Sequence, residues 1–166
     1  MVTTKRVLLA AAVVVAVVVI VIRLLPSEEK RVARQFERFS AWASKDRDEK
    51  PLKTTEKIQG LRSLFADPCE VRTDVDSFGG WYSPEQIVSY AMRARGYFAE
   101  ASLTFHDVSV EIPEGDRALV MLTARLKGIS VVEERVNEVR ELECELHKTA
   151  NRWLFNRIVV VEVLQR

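Results

Sequence analysis

His106 and Asp107 sit where the alternation of apolar side chains changes parity. Leu103 and Phe105 precede them on one parity, and Val108, Val110 and Ile112 follow on the other. Such a switch predicts a β-bulge, because one extra residue flips every later side chain to the opposite face. A bulge can re-aim a carboxylate into a pocket, where burial raises its pKa and suits it to general-base work. On that arrangement Asp107 would be the base, His106 its neighbour, and Tyr82 or Tyr90 would polarise a substrate carbonyl. Trp81, Tyr82, Tyr90, Tyr97 and Phe98 are the aromatics available to line the mouth of such a pocket. Each of these residues also has a plainer role. Adjacent strand residues point to opposite faces, so His106 and Asp107 can be an exposed pair at an irregular edge, and the five aromatics can be core and rim.

Other chemistries find less support. Asp74 and Asp76 share one parity and make a conceivable hard-cation pair, but two carboxylates are a thin ligand set. His106 and His147 fall on different strands without a Cys or acidic partner at zinc spacing. No Gly-rich phosphate loop, nucleophile elbow or Cys–His signature occurs. No metal and no cofactor are therefore expected. Cys69 and Cys144 are too few for a disulfide scaffold and sit in apolar, strand-like settings, which favours buried free thiols over a bridge. With 25 Lys and Arg against 24 Asp and Glu, and a net charge of +1, there is no basic arm to nominate a nucleic-acid partner.

The elements that must position these residues follow from periodicity. Ser27 caps a helix whose apolar face is Val32, Phe36, Phe39 and Ala43, with Trp42 beside it and Glu28 and Glu29 in the first turn. The run from Lys45 to Pro51 is a polar connection. A second helix is expected over 55–66, with Ile58, Leu61 and Phe65 inward and Asp67-Pro68 as its stop. Cys69 to Val75 alternates as a strand, and Gly79-Gly80 turns the chain. Ser83, Pro84 and Gln86 form a capping box for a third helix carrying Ile87, Ala91 and Ala94 and ending at Gly96. Strands then follow to the end. Val120, Leu122, Ala124 and Leu126 share one face, and 128–138 is either a strand extension or a polar loop. Leu142, Cys144 and Leu146 alternate with Glu141, Glu143 and Glu145, which gives one wet face, with Arg125 and Lys127 available to neutralise it. After a four-residue break, Thr149 to Arg152, the nearly continuous apolar run Ile158–Val163 predicts a central strand covered on both faces.

The N-terminus predicts a location. From Val7 to Ile22 no polar side chain occurs, and Leu24 and Leu25 extend the run past Arg23. Its length approaches the ~20 residues a helix needs to cross a bilayer. Residues 7–25 are thus expected to contact membrane lipid as an uncleaved single-pass anchor. No small-x-small cleavage site follows to suggest a signal peptide. Basic residues flank both ends (Lys5 and Arg6; Arg23, Lys30, Arg31 and Arg34), so charge alone does not orient the span. The short N-terminal tail favours an inside N-terminus with the domain outside the cytoplasm, periplasmic in a bacterium. The organisation expected is 1–26 as anchor and 27–166 as one domain, long enough to bury its own core.

Helix, helix, short strand pair, helix, then a four-strand meander: with SPEQIVSYAMRARGYF before the meander and ELHKTANRWLFNRIVVVEVL closing it, this order resembles the NTF2-like superfamily, which includes nuclear transport factor 2, SnoaL and ketosteroid-isomerase relatives. The resemblance covers about Glu28 to Arg166. It implies an α+β fold in which a curved antiparallel sheet wraps three helices and leaves a cone-shaped pocket. It also implies a convex sheet face often used for dimerisation. The superfamily includes isomerases, hydrolases, dehydratases and non-enzymatic modules, so fold does not choose among them. Without a recognisable acid–base pair, the sequence favours a non-catalytic protein-interaction or accessory subunit of a membrane assembly, with a protein partner or a second copy. The competing expectations are a SnoaL-like isomerase, hydratase or hydrolase and a passive small-ligand binder.

Overall fold

In a computed structural model of the chain, residues 27–73 and 79–161 are described. Three helices, α1 (Glu28–Ala43), α2 (Pro51–Arg62) and α3 (Pro84–Tyr97), pack on one face of a curved six-stranded sheet. The strands are β1 (Phe65–Arg72), β2 (Gly80–Tyr82), β3 (Phe98–Glu114), β4 (Arg117–Ser130), β5 (Arg135–Thr149) and β6 (Arg152–Val161). Their order across the sheet is β2-β1-β6-β5-β4-β3. This is the expected α+β architecture with three helices, and β6 is central as expected. The sheet is mixed rather than wholly antiparallel, however, because β1 pairs β6 in parallel. No hairpin joins those two strands, so nothing forces them to run in opposite directions.

Sequence signals with strong local chemistry are realised. Ser27 accepts from the Lys30 amide, and Ser83 and Gln86 cap α3 reciprocally. The β3–β4 register slips between His106 and Ser109, and Asp107 takes a φ of 53°, which is the bulge that the parity switch predicts. Three expectations need correction, and the alternative left open at 128–138 is decided. α2 starts at Pro51 and ends at Arg62, while Asp67-Pro68 lies within β1, where Phe65 already pairs with Phe155. Gly96 lies inside the last turn of α3, whose cap is Phe98; Ala94 is exposed, and Arg95 takes the buried position. The segment 128–138 is strand extension at both ends of a hairpin turn. The β5–β6 connection shortens to Ala150-Asn151, both at positive φ, a two-residue turn that matches strand twist.

Alternation sorts the two sheet faces. Ala118, Val120, Leu122, Cys144, Leu146, Trp153 and Phe155 are buried against the helices together with Val32, Phe36, Leu61 and Leu64. Leu119, Met121, Glu143 and Val159 alternate with them and face away. Among the described residues nothing covers this outer face, so Val159 and Val161 are only partly buried, contrary to the expectation of a strand covered on both sides.

Helix α2 packs on α1 where Gly60 meets the Trp42 ring. A Cβ at Gly60 would lie 2.5 Å from two ring atoms of Trp42, which is itself wedged against the core. Gly60→Ala should therefore lower stability by up to about 2 kcal/mol, since the ~1–3 kcal/mol cost of overpacking is set against a ~1 kcal/mol gain in helix propensity. Denaturant melts check it, and a stabilised variant would show that Trp42 moves freely.

The apolar run Val7–Leu25 and the pair Asp74 and Asp76 lie outside the described residues. Among the described residues, no helix is long and apolar enough to cross a membrane.

Candidate functional site

The space between α1 and the inner face of the sheet is occupied by five phenylalanine rings. Phe36 stands edge-on to Phe105 and Phe155, with centroids 5.5 and 5.0 Å apart. Phe39 lies 5.5 Å from each of Phe65, Phe105 and Phe155. These come from α1, β1, β3 and β6, so the cluster ties the helix layer to both halves of the sheet. Offset and edge-to-face pairs of this kind contribute about 0.5–1.5 kcal/mol each beyond the area they bury.

The sequence-nominated residues fall into separate groups. Tyr82 on β2 and Tyr90 on α3 meet edge-to-face at 5.5 Å, and the Arg93 guanidinium lies 5.7 Å from the Tyr90 ring centre. Trp81 is exposed on the same strand. His106 and Asp107 are on β3, the opposite edge strand of the sheet, and both are exposed; the His106 ring contacts Thr104 Oγ1 at 3.1 Å. Tyr97 and Phe98 form a third group at the end of α3, stacked edge-on at 5.1 Å, with the Tyr97 hydroxyl donating to Glu134. Phe98 is buried, over Gly128, whose missing Cβ would come within 2.7 Å of its ring. Among the described residues no three His, Cys, Asp or Glu side chains converge as a metal site. Cys69 and Cys144 are free and buried, and burial pushes each thiol up to about 12, which makes them inert at neutral pH.

The most buried charges are ones the sequence conceals. Glu49 and Arg95 form an ion pair whose side chains are 2% and 7% exposed, and Lys57 Nζ donates to the other Glu49 oxygen at 2.5 Å. Arg95 also donates to the carbonyls of Ala43 and Ser44 at 2.8 and 2.6 Å, and Lys57 to Ser44 O at 2.9 Å. Lys45 reciprocates by donating to Arg95 O and Phe98 O at the end of α3. Cations thus satisfy the orphan carbonyls at the C-terminal ends of two helices, where the helix dipole favours positive charge. Every partner is saturated, which makes this cluster a clamp between the helices. Its sequence signal is faint: Arg95 stands seven residues after the buried Val88, on an apolar helical period.

At the other end of α1, Glu28 accepts from Trp153 Nε1 at 2.8 Å and Arg31 at 2.6 Å and lies 3.0 Å from Lys148. Burial pushes the Glu28 carboxyl up, but hydrogen bonds from Lys148, Trp153 and Arg31 and the Arg31 charge outweigh it and bring it down to about 2. Glu49 is similar: burial opposes ionisation, and Lys57, Thr54 and Arg95 together hold it at about 2. Both folded-state values lie below the ordinary 4.5, so this stability is fully present above pH 4.5 and disappears as pH falls through 2. Thermal melts should therefore show a decline between pH 4.5 and 2, shallower in Glu49→Gln. Equal acid slopes in the two proteins would contradict the assignment.

Two clefts open on the outer face. The first, about 260 Å³, lies over the middle of β3–β6, with Leu119, Met121 and Val159 as its floor and Glu111, Glu143 and Arg157 around it. Met121 is 64% exposed. Glu145 at its edge is bound bidentately by Arg117, at 3.0 and 3.1 Å. Arg117, not Arg125 or Lys127, is thus the counter-charge of Glu145; the latter two stand opposite Val139 and Asn137. The second cleft, about 740 Å³, lies at the far end of β4 and β5 and is lined by Arg47, Arg125, Lys127 and Arg135.

No family model matches the sequence, and no curated protein matches it. Solved structures do. A protein from Kribbella flavida shares 16% identity over 82% of this chain and 91% of its own, with a TM-score of 0.68. LinA shares 13% over 81% and 85%, with a TM-score of 0.67. The hexachlorocyclohexane dehydrochlorinase LinA-type3 from Novosphingobium barchaimii shares 10% over 81% and 86%, with a TM-score of 0.66. At these identities the likeness shows the fold alone, three helices on a curved, unclosed six-stranded sheet, an arrangement that fits the expected cone.

Proposed function

We propose that the chain is a membrane-anchored, non-catalytic NTF2-like module that binds a protein partner, or a second copy of itself, through the outer face of its sheet. The observation that carries this reading is the use of space. Phenylalanine rings occupy the region where a cone-lining active site would sit, whereas the clefts, exposed Met121 and half-buried Val159 lie outside. Residues 7–25 supply the anchor, with the domain outside the cytoplasm. A photo-crosslinking residue at position 121 of the full chain in native membranes should give an adduct heavier than the chain itself. Absence of any adduct argues against the reading.

The structural neighbours favour a second reading. One is named a dehydrochlorinase. By analogy of fold alone, this chain would catalyse a small-molecule elimination, isomerisation or hydration, with Asp107 as base and Tyr82 or Tyr90 polarising a carbonyl. Asp107 lies on one edge strand, whereas Tyr82 lies on the other with Tyr90 of α3 against it, and that separation weighs against this reading. Turnover of a halogenated or carbonyl substrate that disappears in Asp107→Asn, with stability unchanged, would establish it over the module.

A further inference from the structure

We propose that the end of the domain remote from Ser27 is a docking site for an acidic, partly apolar segment of a protein partner. This rests on the module reading and names the chemistry of its partner. Helix α1 carries the chain about 24 Å from Ser27 before the strap Lys45–Arg47 begins. The strap bridges to Ala101 on the edge strand β3, with amide–carbonyl distances of 2.7 and 2.9 Å, and walls the larger outer cleft.

Charge selects the ligand. Arg47, Arg125, Lys127 and Arg135 reach the cleft from the strap, β4 and β5, across about 15 Å of adjacent backbones. Against them stand two acids. Glu100 lies 3.6 Å from Arg47, and Asp46 is already taken by Lys53 at 2.6 Å. Lys127 and Arg135 make no hydrogen bond or ion pair among the described residues. The excess is cationic, and its guanidinium groups suit planar carboxylates.

The neighbouring turn selects the apolar component. Between β4 and β5 the chain is pinned rather than loose. Ser130, fully buried, accepts from the amides of Val132 and Glu134 at 3.3 and 3.0 Å, and Val131 N–H donates to Tyr97 O at 3.0 Å. Glu133 takes a φ of 62° to close the turn. The outcome of this ordering is that Val131 and Val132 are held 61% and 67% exposed, in the turn between the cleft residues Ile129 and Arg135, with Glu133 and Glu134 completing the turn. An ordered turn that fixes two valines in solvent, next to unpaired cations, is a surface shaped for contact. Because the cleft is walled by the strap, a narrow peptide segment enters it, whereas a flat bilayer surface reaches only the rim.

The test uses the full chain and a short fluorescein-labelled peptide of glutamates with leucine at every fourth position, followed by fluorescence anisotropy. The expected result is saturable binding that weakens with salt. It should fall about tenfold or more in Lys127→Glu/Arg135→Glu and also in Val131→Ser/Val132→Ser, with melting temperatures unchanged. No saturable binding, or binding equal in wild type and both variants, overturns the proposal. So does a gain in co-sedimentation on adding phosphatidylglycerol to phosphatidylcholine vesicles that Lys127→Glu/Arg135→Glu removes, since that assigns the site to membrane. If the peptide fails while the adduct at position 121 persists, only this site falls; if both are absent, the module reading falls with it.

Discussion

Arg95→Ala should lower unfolding stability by about 3–5 kcal/mol, the usual consequence of removing one partner from a buried ion pair. The Glu49 carboxylate would keep Lys57 and Thr54 but lose its guanidinium, the Ala43 carbonyl would lose its donor, and the Ser44 carbonyl would keep only Lys57. Several kcal/mol is a large fraction of the roughly 5–15 kcal/mol available to a domain of this size. Arg95→Lys should recover only part of it, because a compact ammonium lacks the length and planar fork with which the guanidinium spans the carboxylate and the carbonyls. Urea titrations measure the loss. A loss under 1 kcal/mol would show that water replaces the guanidinium and that the site is not closed.

Phe155→Ala should cost about 3–5 kcal/mol, because it deletes a fully buried ring and leaves a cavity lined by aromatics that cannot collapse. Phe155 touches Phe36, Phe39 and Phe65, with centroids 5.0, 5.5 and 5.7 Å away, so its loss loosens α1 and β1 together. The variant also bears on function. If the interior is core, the truncation lowers stability and leaves outer-face binding intact. If the interior is a ligand pocket, the enlarged space changes ligand affinity or turnover before it changes the melt. Urea titration and peptide binding on the same sample separate the two.

Where a local rule has a single strong cause, the sequence predicted structure well. The parity switch at His106-Asp107 has few explanations besides a bulge, and Ser83-Pro84-Glu85-Gln86 has few besides a capped helix. The alternating glutamates from 141 to 145 required one wet strand face. Prediction failed where tertiary context overrode local cues. Pro68 appeared to be a helix stop, but it sits within β1, beside the register irregularity between Phe65 and Glu70. Glu49, within a run of charges, appeared solvated, yet Arg95 and Lys57 arrive from two other helices to bury it. The bulge drew attention to Asp107 as a base, but periodicity cannot show that β3 and β2 become opposite edges of one sheet. The cationic cleft was illegible for the same reason, since Arg47, Arg125, Lys127 and Arg135 converge only through strand order and the strap.

On the proposed reading the domain works by binding at its outer surface rather than by catalysis within. The most direct test is the native mass of the full chain after mild-detergent extraction from its own membranes. A species well above the 18.9 kDa of one chain is expected, retained in Asp107→Asn and diminished in Met121→Glu. A lone 18.9 kDa chain in every sample would contradict it.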